Sequence, residues 1–274
     1  MVAPQHWRVS FDVAQGAFNT SHPSDDPALP PHEHHVRLGL THTELTANYG
    51  LRPNVQLSLR LPYEVKVMRV HYTLEDGTPY TPPYGEIHHR NETLRGISDP
   101  TLRLDFALHP GFILGIGSTL PFGHIVPDPI VLGLEGKPHE HIQFGSGTFQ
   151  PLLSAQWSNP RFVAAAEAKL SLYENRNGFR APTTFVWSAG PSFRVRRFSI
   201  DPRLNGQFQT LGRWSGAIDE GSGFRDAGAR LQVSTAWRGT VVAPSVYRQL
   251  WSHGLARQRF EQGTTWGLSL TRTF

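Results

Sequence analysis

Polar and apolar residues alternate along most of this chain with a period of two, the spacing of a strand that has one wet and one dry face. The clearest run is 55–67, where Val55, Leu57, Leu59, Leu61, Tyr63, Val65 and Val67 oppose Gln56, Ser58, Arg60, Pro62, Glu64 and Lys66. The same pattern predicts a first strand on Trp7, Val9, Phe11 and Val13, and a last on Trp266, Leu268, Leu270 and Phe274. A second segment changes phase, from Val36, Leu38 and Leu40 to Leu45, Ala47 and Tyr49, which suggests a β-bulge. Eight further segments, centred on Leu104, Leu114, Leu153, Ala166, Trp187, Ile200, Leu231 and Val246, complete the series.

That makes about twelve strands of roughly ten residues, the length that crosses a bilayer at a tilt. Their connections alternate between long and short. Long polar stretches lie near 14–35, 72–98 and 122–147, and compact turns such as Ser158-Asn159-Pro160-Arg161 lie between them. A soluble sandwich has no reason to keep that alternation, whereas a transmembrane barrel has short periplasmic turns and long outer loops. The expected fold is therefore all-β: one domain over 1–274, a closed antiparallel up-and-down transmembrane β-barrel. No run of about 18 apolar residues exists, so a transmembrane helix is excluded. A mean hydropathy below zero is compatible with a barrel, because only a thin outer band faces lipid.

The closing segment resembles the last strand of bacterial outer-membrane barrels, which ends on an aromatic residue. The resemblance implies outer-membrane lipid as surroundings and the barrel-assembly machinery as a partner during biogenesis. No signal peptide precedes Trp7, so the expectation is a leader already removed. The absence of cysteine rules out a disulfide scaffold. The net charge of +4 comes from basic residues dispersed among acidic ones, which makes no nucleic-acid footprint.

Charge changes the picture more on the polar faces. Arg8, Asp12, Arg60, Glu64, Lys66, Arg103, Asp105, Glu167, Lys169, Asp201, Arg203 and Arg230 all fall opposite the apolar positions. In a barrel these residues line the lumen, since a lipid-facing surface cannot carry them. Because unpaired buried charge is costly, arginine–carboxylate networks are expected, either plugging the interior or lining a narrow path. Trp7, Tyr49, Trp157, Trp237 and Trp266, near strand ends, suit an interfacial aromatic girdle. Arg272 shares the lipid-facing phase and is expected at the periplasmic interface, its head group turned to water.

Eleven of the 14 histidines fall in or beside the long connections. His32, His34 and His35 form one group, His88 and His89 a second, and His139 and His141 a third, each with a glutamate alongside. Imidazole and carboxylate this close suit Zn, Cu or Ni, and in extended chain His-x-His puts both rings on one face. A pH-sensitive outer gate and plain hydrogen bonding are the alternatives. No cofactor is required by the barrel itself.

Gly96-Ile97-Ser98-Asp99-Pro100-Thr101-Leu102, Leu120-Pro121-Phe122-Gly123 and Phe144-Gly145-Ser146-Gly147-Thr148-Phe149-Gln150-Pro151 together resemble a known group. The pattern is similar to outer-membrane transporters grouped under the meta-pathway of phenol degradation, themselves distantly like fatty-acid transporter barrels. The resemblance covers about 96–151 by motif and the remainder by architecture. It implies passive passage of a small solute, hydrophobic or aromatic in character. The chain departs from the fatty-acid transporters in leaving no room for an N-terminal plug before Trp7, and the motif residues read as structural rather than ligand-binding. A channel is thus expected rather than an enzyme. The alternative is a His-rich metal-binding or structural surface protein. A lipid-cleaving barrel enzyme would need a nucleophile beside His42 and Glu44, and no such motif is present. A homo-oligomer is compatible with everything above.

Overall fold

The structure is a computed structural model that describes residues 1–24, 29–83, 91–139, 142–256 and 261–274. Twelve strands build the barrel: β1 (Trp7–Pro23), β2 (His32–Arg52), β3 (Val55–Leu74), β4 (Thr101–His109), β5 (Phe112–Thr119) and β6 (Pro151–Asn159), followed by β7 (Phe162–Lys169), β8 (Thr184–Pro191), β9 (Phe198–Gln209), β10 (Phe224–Trp237), β11 (Thr240–Gly254) and β12 (Thr265–Thr273). Each pairs antiparallel with its chain neighbours, and β12 returns to β1 through Ser269 opposite Asp12 and Thr271 opposite Ser10. Closure leaves the sheet without free edges, the condition for placing strands in hydrocarbon.

The alternation read from sequence becomes two faces. Leu61, Leu104, Leu114, Leu153, Leu204 and Leu268 point outward and are exposed, while the buried Gln56, Ser58 and Asp105 point inward. The outward apolar positions on β3, from Leu57 to Val67, span ten residues. At a strand tilt near 40° that is a belt about 25 Å tall, matching a hydrocarbon core. Trp7, Trp157 and Trp237 lie exposed at the short-turn end and Trp266 at the opposite end, so aromatics rim both sides of the belt. Trp7 packs on Tyr49 with ring centroids 4.7 Å apart. Arg272 is opposite Val9 and Thr240, one residue from the end of β12 at the short-turn rim, with its guanidinium 5.3 Å from the Phe274 ring.

Two expectations change. Between Tyr49 and His32 the register of β2 on β3 advances one for one, and its irregularity sits only at Gly50/Arg52. No bulge separates the two apolar phases. Instead Val36, Leu38 and Leu40 share the inward face with His42 and Glu44, opposite Val70, Met68 and Lys66. The regions near 14–35 and 72–98 are likewise not simply loops, because the ladder runs on to Pro23, resumes at His32, and continues to Leu74. The reason is physical: beyond the belt the outer face meets water and the inner face meets other chain. The polarity of the two faces therefore inverts while hydrogen bonding continues. Asn19, Arg37 and Arg69 face out there, and Phe18, Leu38 and Met68 face in. The third long stretch, 122–147, holds a short helix, α1 (Pro129–Leu134), capped by the Asp128 carboxylate.

At the outer end the connections after β7 and β9 form a small three-stranded sheet (179–180, 212–214 and 217–219). Phe179, Trp214 and Val126 form its core, the two rings 4.6 Å apart. At the turn end, Val2–His6 fold beneath the mouth: Val2 N donates to Gln56 Oε1 (3.0 Å), and Gln5 N donates to Gly50 O (2.8 Å). Gly50 is required there, because a Cβ would meet the Ala3 carbonyl carbon at 2.6 Å.

Candidate functional site: the barrel interior

The barrel encloses a cavity of about 760 Å³. Of the twelve charged residues expected in the lumen, Arg8, Asp12, Arg103, Asp105, Glu167 and Arg230 line it directly. Five more are held in ion pairs. Arg60 on β3 reaches Glu167 on β7 through both carboxylate oxygens, at 2.9 and 3.0 Å. Glu64 pairs with Lys66 at 2.8 Å, and Asp201 with Arg203 at 3.2 Å. Lys169 ends β7 on the same face and makes no ion pair within 4 Å among the described residues.

Glu167 is the centre of the arrangement. Its second oxygen also accepts from Arg103 Nη1 at 3.1 Å, and Arg103 Nε donates to Asp105 at 2.6 Å. Asp105, only 2% exposed, in turn accepts from Ser58 Oγ (2.6 Å) and Gln56 Nε2 (2.9 Å). Every oxygen of this buried carboxylate is thus occupied, which offsets its desolvation. One continuous network ties β3 and β4 to β7, spanning β5 and β6.

That reach depends on residues that the alternation alone does not single out. The inward positions of β5 between Arg103 and Glu167 are Gly115 and Gly117. A Cβ on Gly115 would meet Asp105 Oδ1 at 2.6 Å and Arg103 Cδ at 2.8 Å. The readable signal was a glycine repeating on the polar face of a strand whose other face is Leu114 and Ile116.

The opposite wall is different. Arg8, Asp12, Asp226 and Arg230, on β1 and β10, have no ion pair within 4 Å among the described residues. Arg230 instead donates to Gln232 (2.6 Å), Tyr247 on β11 stands between the two strands, and Asn205 and Gln207 on β9 continue the wall. One side of the cavity is a closed salt-bridge lattice and the other presents open charge and amide groups.

Above this chamber the 142–150 segment turns inward. Lys66 Nζ donates to Gln143 O (2.7 Å) and lies 4.4 Å from the Phe144 ring, which also covers Gly96. The segment is held by Asp99, whose carboxylate accepts from Gly123 N (2.9 Å), Ser146 N (2.7 Å) and Ser146 Oγ (2.7 Å). Asn175 Nδ2 adds a bond to Ser146 O at 2.9 Å. The three Gly/Pro motifs thus meet at one carboxylate.

The histidines are split by the strand period. His32 and His34 face inward with Tyr72, and His22 of β1 stands opposite His34 with ring centroids 4.5 Å apart. His35 faces outward, stacked on His71 at 4.6 Å. His139 is buried against Gly133 of α1, while His88, His89 and His141 lie outside the described residues. Among the described residues no three His, Asp or Glu side chains are grouped so as to hold a metal ion. His42 bonds Glu64 through Nδ1 at 3.3 Å, and no hydroxyl bonds it among the described residues.

His34 is 3% exposed, and burial, with His22, His32 and His35 adding repulsion, holds its pKa at about 3. An unfolded His34 takes up a proton near pH 6.5, whereas the folded one does not. Stability present above that value is therefore lost as pH falls, by about 2–3 kcal/mol at pH 4.5. Amide exchange in 32–37 should rise between pH 7 and 4.5, corrected for intrinsic rates, with 57–61 as the internal control. His34→Phe should abolish the rise, and a rise of equal size in that variant would contradict the assignment.

No family model matches the chain, and no curated protein sequence matches it. Among solved structures, an outer membrane channel from Pseudomonas putida F1 is similar at a TM-score of 0.60 and 12% identity, covering 99% of this chain and 96% of that one. The chain shares its fold with an outer-membrane channel. A toluene transporter from Ralstonia pickettii covers the whole chain and 90% of its own length at a TM-score of 0.45 and 10% identity. A Pseudomonas aeruginosa FadL homologue gives 0.47 and 11% over 97% and 90%.

Proposed function

We propose that the protein is a passive channel for small solutes in a Gram-negative outer membrane. The observation that carries this is a closed twelve-strand barrel whose exposed apolar belt surrounds a charged, partly open cavity. A lipid-facing belt needs a membrane, and a lumen with unpaired charge on one wall needs water or a solute. The inward apolar patch of Phe18, Val36, Leu38, Leu40 and Met68 above the chamber favours solutes with hydrophobic or aromatic character. The motif resemblance to meta-pathway transporters points the same way.

The reading is tested by reconstituting the purified chain into planar bilayers and liposomes. Discrete single-channel steps are expected, together with swelling in small solutes such as phenol-sized alcohols and none in trisaccharides. A barrel that inserts yet passes neither ions nor any solute would overturn it.

A further inference from the structure

Resting on that membrane reading, we propose that the outward faces of β2 and β3, just beyond the belt, bind the phosphate groups of the glycolipid surrounding the barrel. Arg37 and Arg69 stand directly opposite each other in the β2–β3 register. One rung farther out His35 stands opposite His71, their rings stacked 4.6 Å apart at 14°. Like charges facing each other across a ladder destabilise it, so the Arg37–Arg69 pair needs a counter-charge. The protein does not supply one: neither Arg37, Arg69 nor Arg95 makes an ion pair with a carboxylate among the described residues.

The described neighbours on β1 share the deficit. Beside Arg37 on β1 is Asn19, and beside His35 is Ser21. Among the described residues, the outward carboxylates nearest in the ladder are Glu33, one rung beyond His35, and Glu261, on the far side of Asn19. Arg95, in the 92–97 strand segment, lies beside Val65 and adds a third exposed guanidinium to this face. Arg37, Arg69, His71 and Arg95 are all exposed. One guanidinium is pre-oriented, since Arg69 Nη1 donates to Met68 O at 3.0 Å.

Position selects the ligand. One rung below Arg37 and Arg69 are Gly39 and Val67, the last row of the apolar belt. A guanidinium fork at that height is level with lipid head groups, and it matches the paired oxygens of a phosphate monoester. The occupant is therefore a phosphorylated glycolipid whose acyl chains lie along Val65, Val67 and Ile97.

The test uses the full chain folded in detergent, with fluorescent lipopolysaccharide as probe. The Arg37→Gln, Arg69→Gln double variant is expected to bind at least tenfold more weakly, each single variant about threefold, and Arg248→Gln as wild type. Enzymatically dephosphorylated lipopolysaccharide should bind the wild type as weakly as the intact form binds the double variant. Equal binding by the double variant would overturn the proposal, as would displacement of the probe by inorganic phosphate at matched concentration, which would mark a free-anion site. Heat-modifiable gel mobility reports folding of each variant. Conductance of the reconstituted wild type reports the channel reading separately, and the double variant should retain it.

Discussion

Glu167→Gln is expected to shift ion selectivity toward anions and to cost about 3 kcal/mol of stability. Glu167 is shared by Arg60 and Arg103, so its loss strands Arg60 and leaves Arg103 with Asp105 alone. Removing one partner from a mostly buried ion network is typically worth ~3–5 kcal/mol, and the lower figure applies because these side chains retain 22–27% exposure. The selectivity effect follows from the lining. Five carboxylates (Asp12, Glu44, Asp105, Glu167 and Asp226) face three guanidiniums (Arg8, Arg103 and Arg230) around the cavity, so the wild type should prefer cations modestly. The substitution neutralises one of the five and frees Arg60 to attract anions in the low-dielectric lumen, while Arg103 keeps Asp105. Reversal potentials across a salt gradient, with urea midpoints in detergent, measure both effects. Arg60→Gln in the Glu167→Gln background should restore part of the stability, since it removes a stranded charge. Unchanged reversal potential in Glu167→Gln would mean that ions pass elsewhere than along this network.

The barrel was legible in the sequence because lipid imposes one rule on every strand. Alternation such as Leu57, Leu59, Leu61 against Ser58 and Arg60 repeats wherever one face meets hydrocarbon, and twelve such runs give the twelve strands observed. That rule stops at the rim of the belt. Val36, Leu38 and Leu40 looked like a shifted phase because apolar was equated with outward, and beyond the membrane the inner surface is the dry one. Reading polarity inversion instead of a bulge would have extended β1–β3 correctly. The interior was partly legible: opposite charges on the polar faces implied pairing, but not which partners met. The partners were set by Gly115 and Gly117, whose absent side chains let Arg103 reach a carboxylate three strands away. The histidine groups were the least legible, since a period of two separates His34 from His35 and brings His22 to His34 only through the β1–β2 register.

Asp99→Ala should open the outer mouth while leaving the barrel wall intact. Three donors converge on this carboxylate from two motifs that are 23 residues apart, Gly123 on one side and Ser146 on the other. Each hydrogen bond to a charged acceptor contributes about 1.5–3 kcal/mol, and the Ser146 amide would be left buried without that acceptor. Together they should loosen the 120–150 region by several kcal/mol, enough to populate its detached form. Gly123 and Gly145 approach so closely that a Cβ on Gly123 would meet the Gly145 Cα at 2.6 Å, so the two segments separate together once the clamp goes. Phe144 would then leave Gly96, and Lys66 would lose the Gln143 carbonyl. The expected results are a larger single-channel conductance, new proteolytic cleavage between 122 and 150, and unchanged amide protection in 57–67. Asp99→Asn keeps the shape and one acceptor oxygen but turns a donor toward one of the two motifs, at least cost toward the Gly123 amide, so it should fall between wild type and alanine. If Asp99→Ala raised cleavage without raising conductance, the inward segment would be a cover on the barrel rather than part of its path.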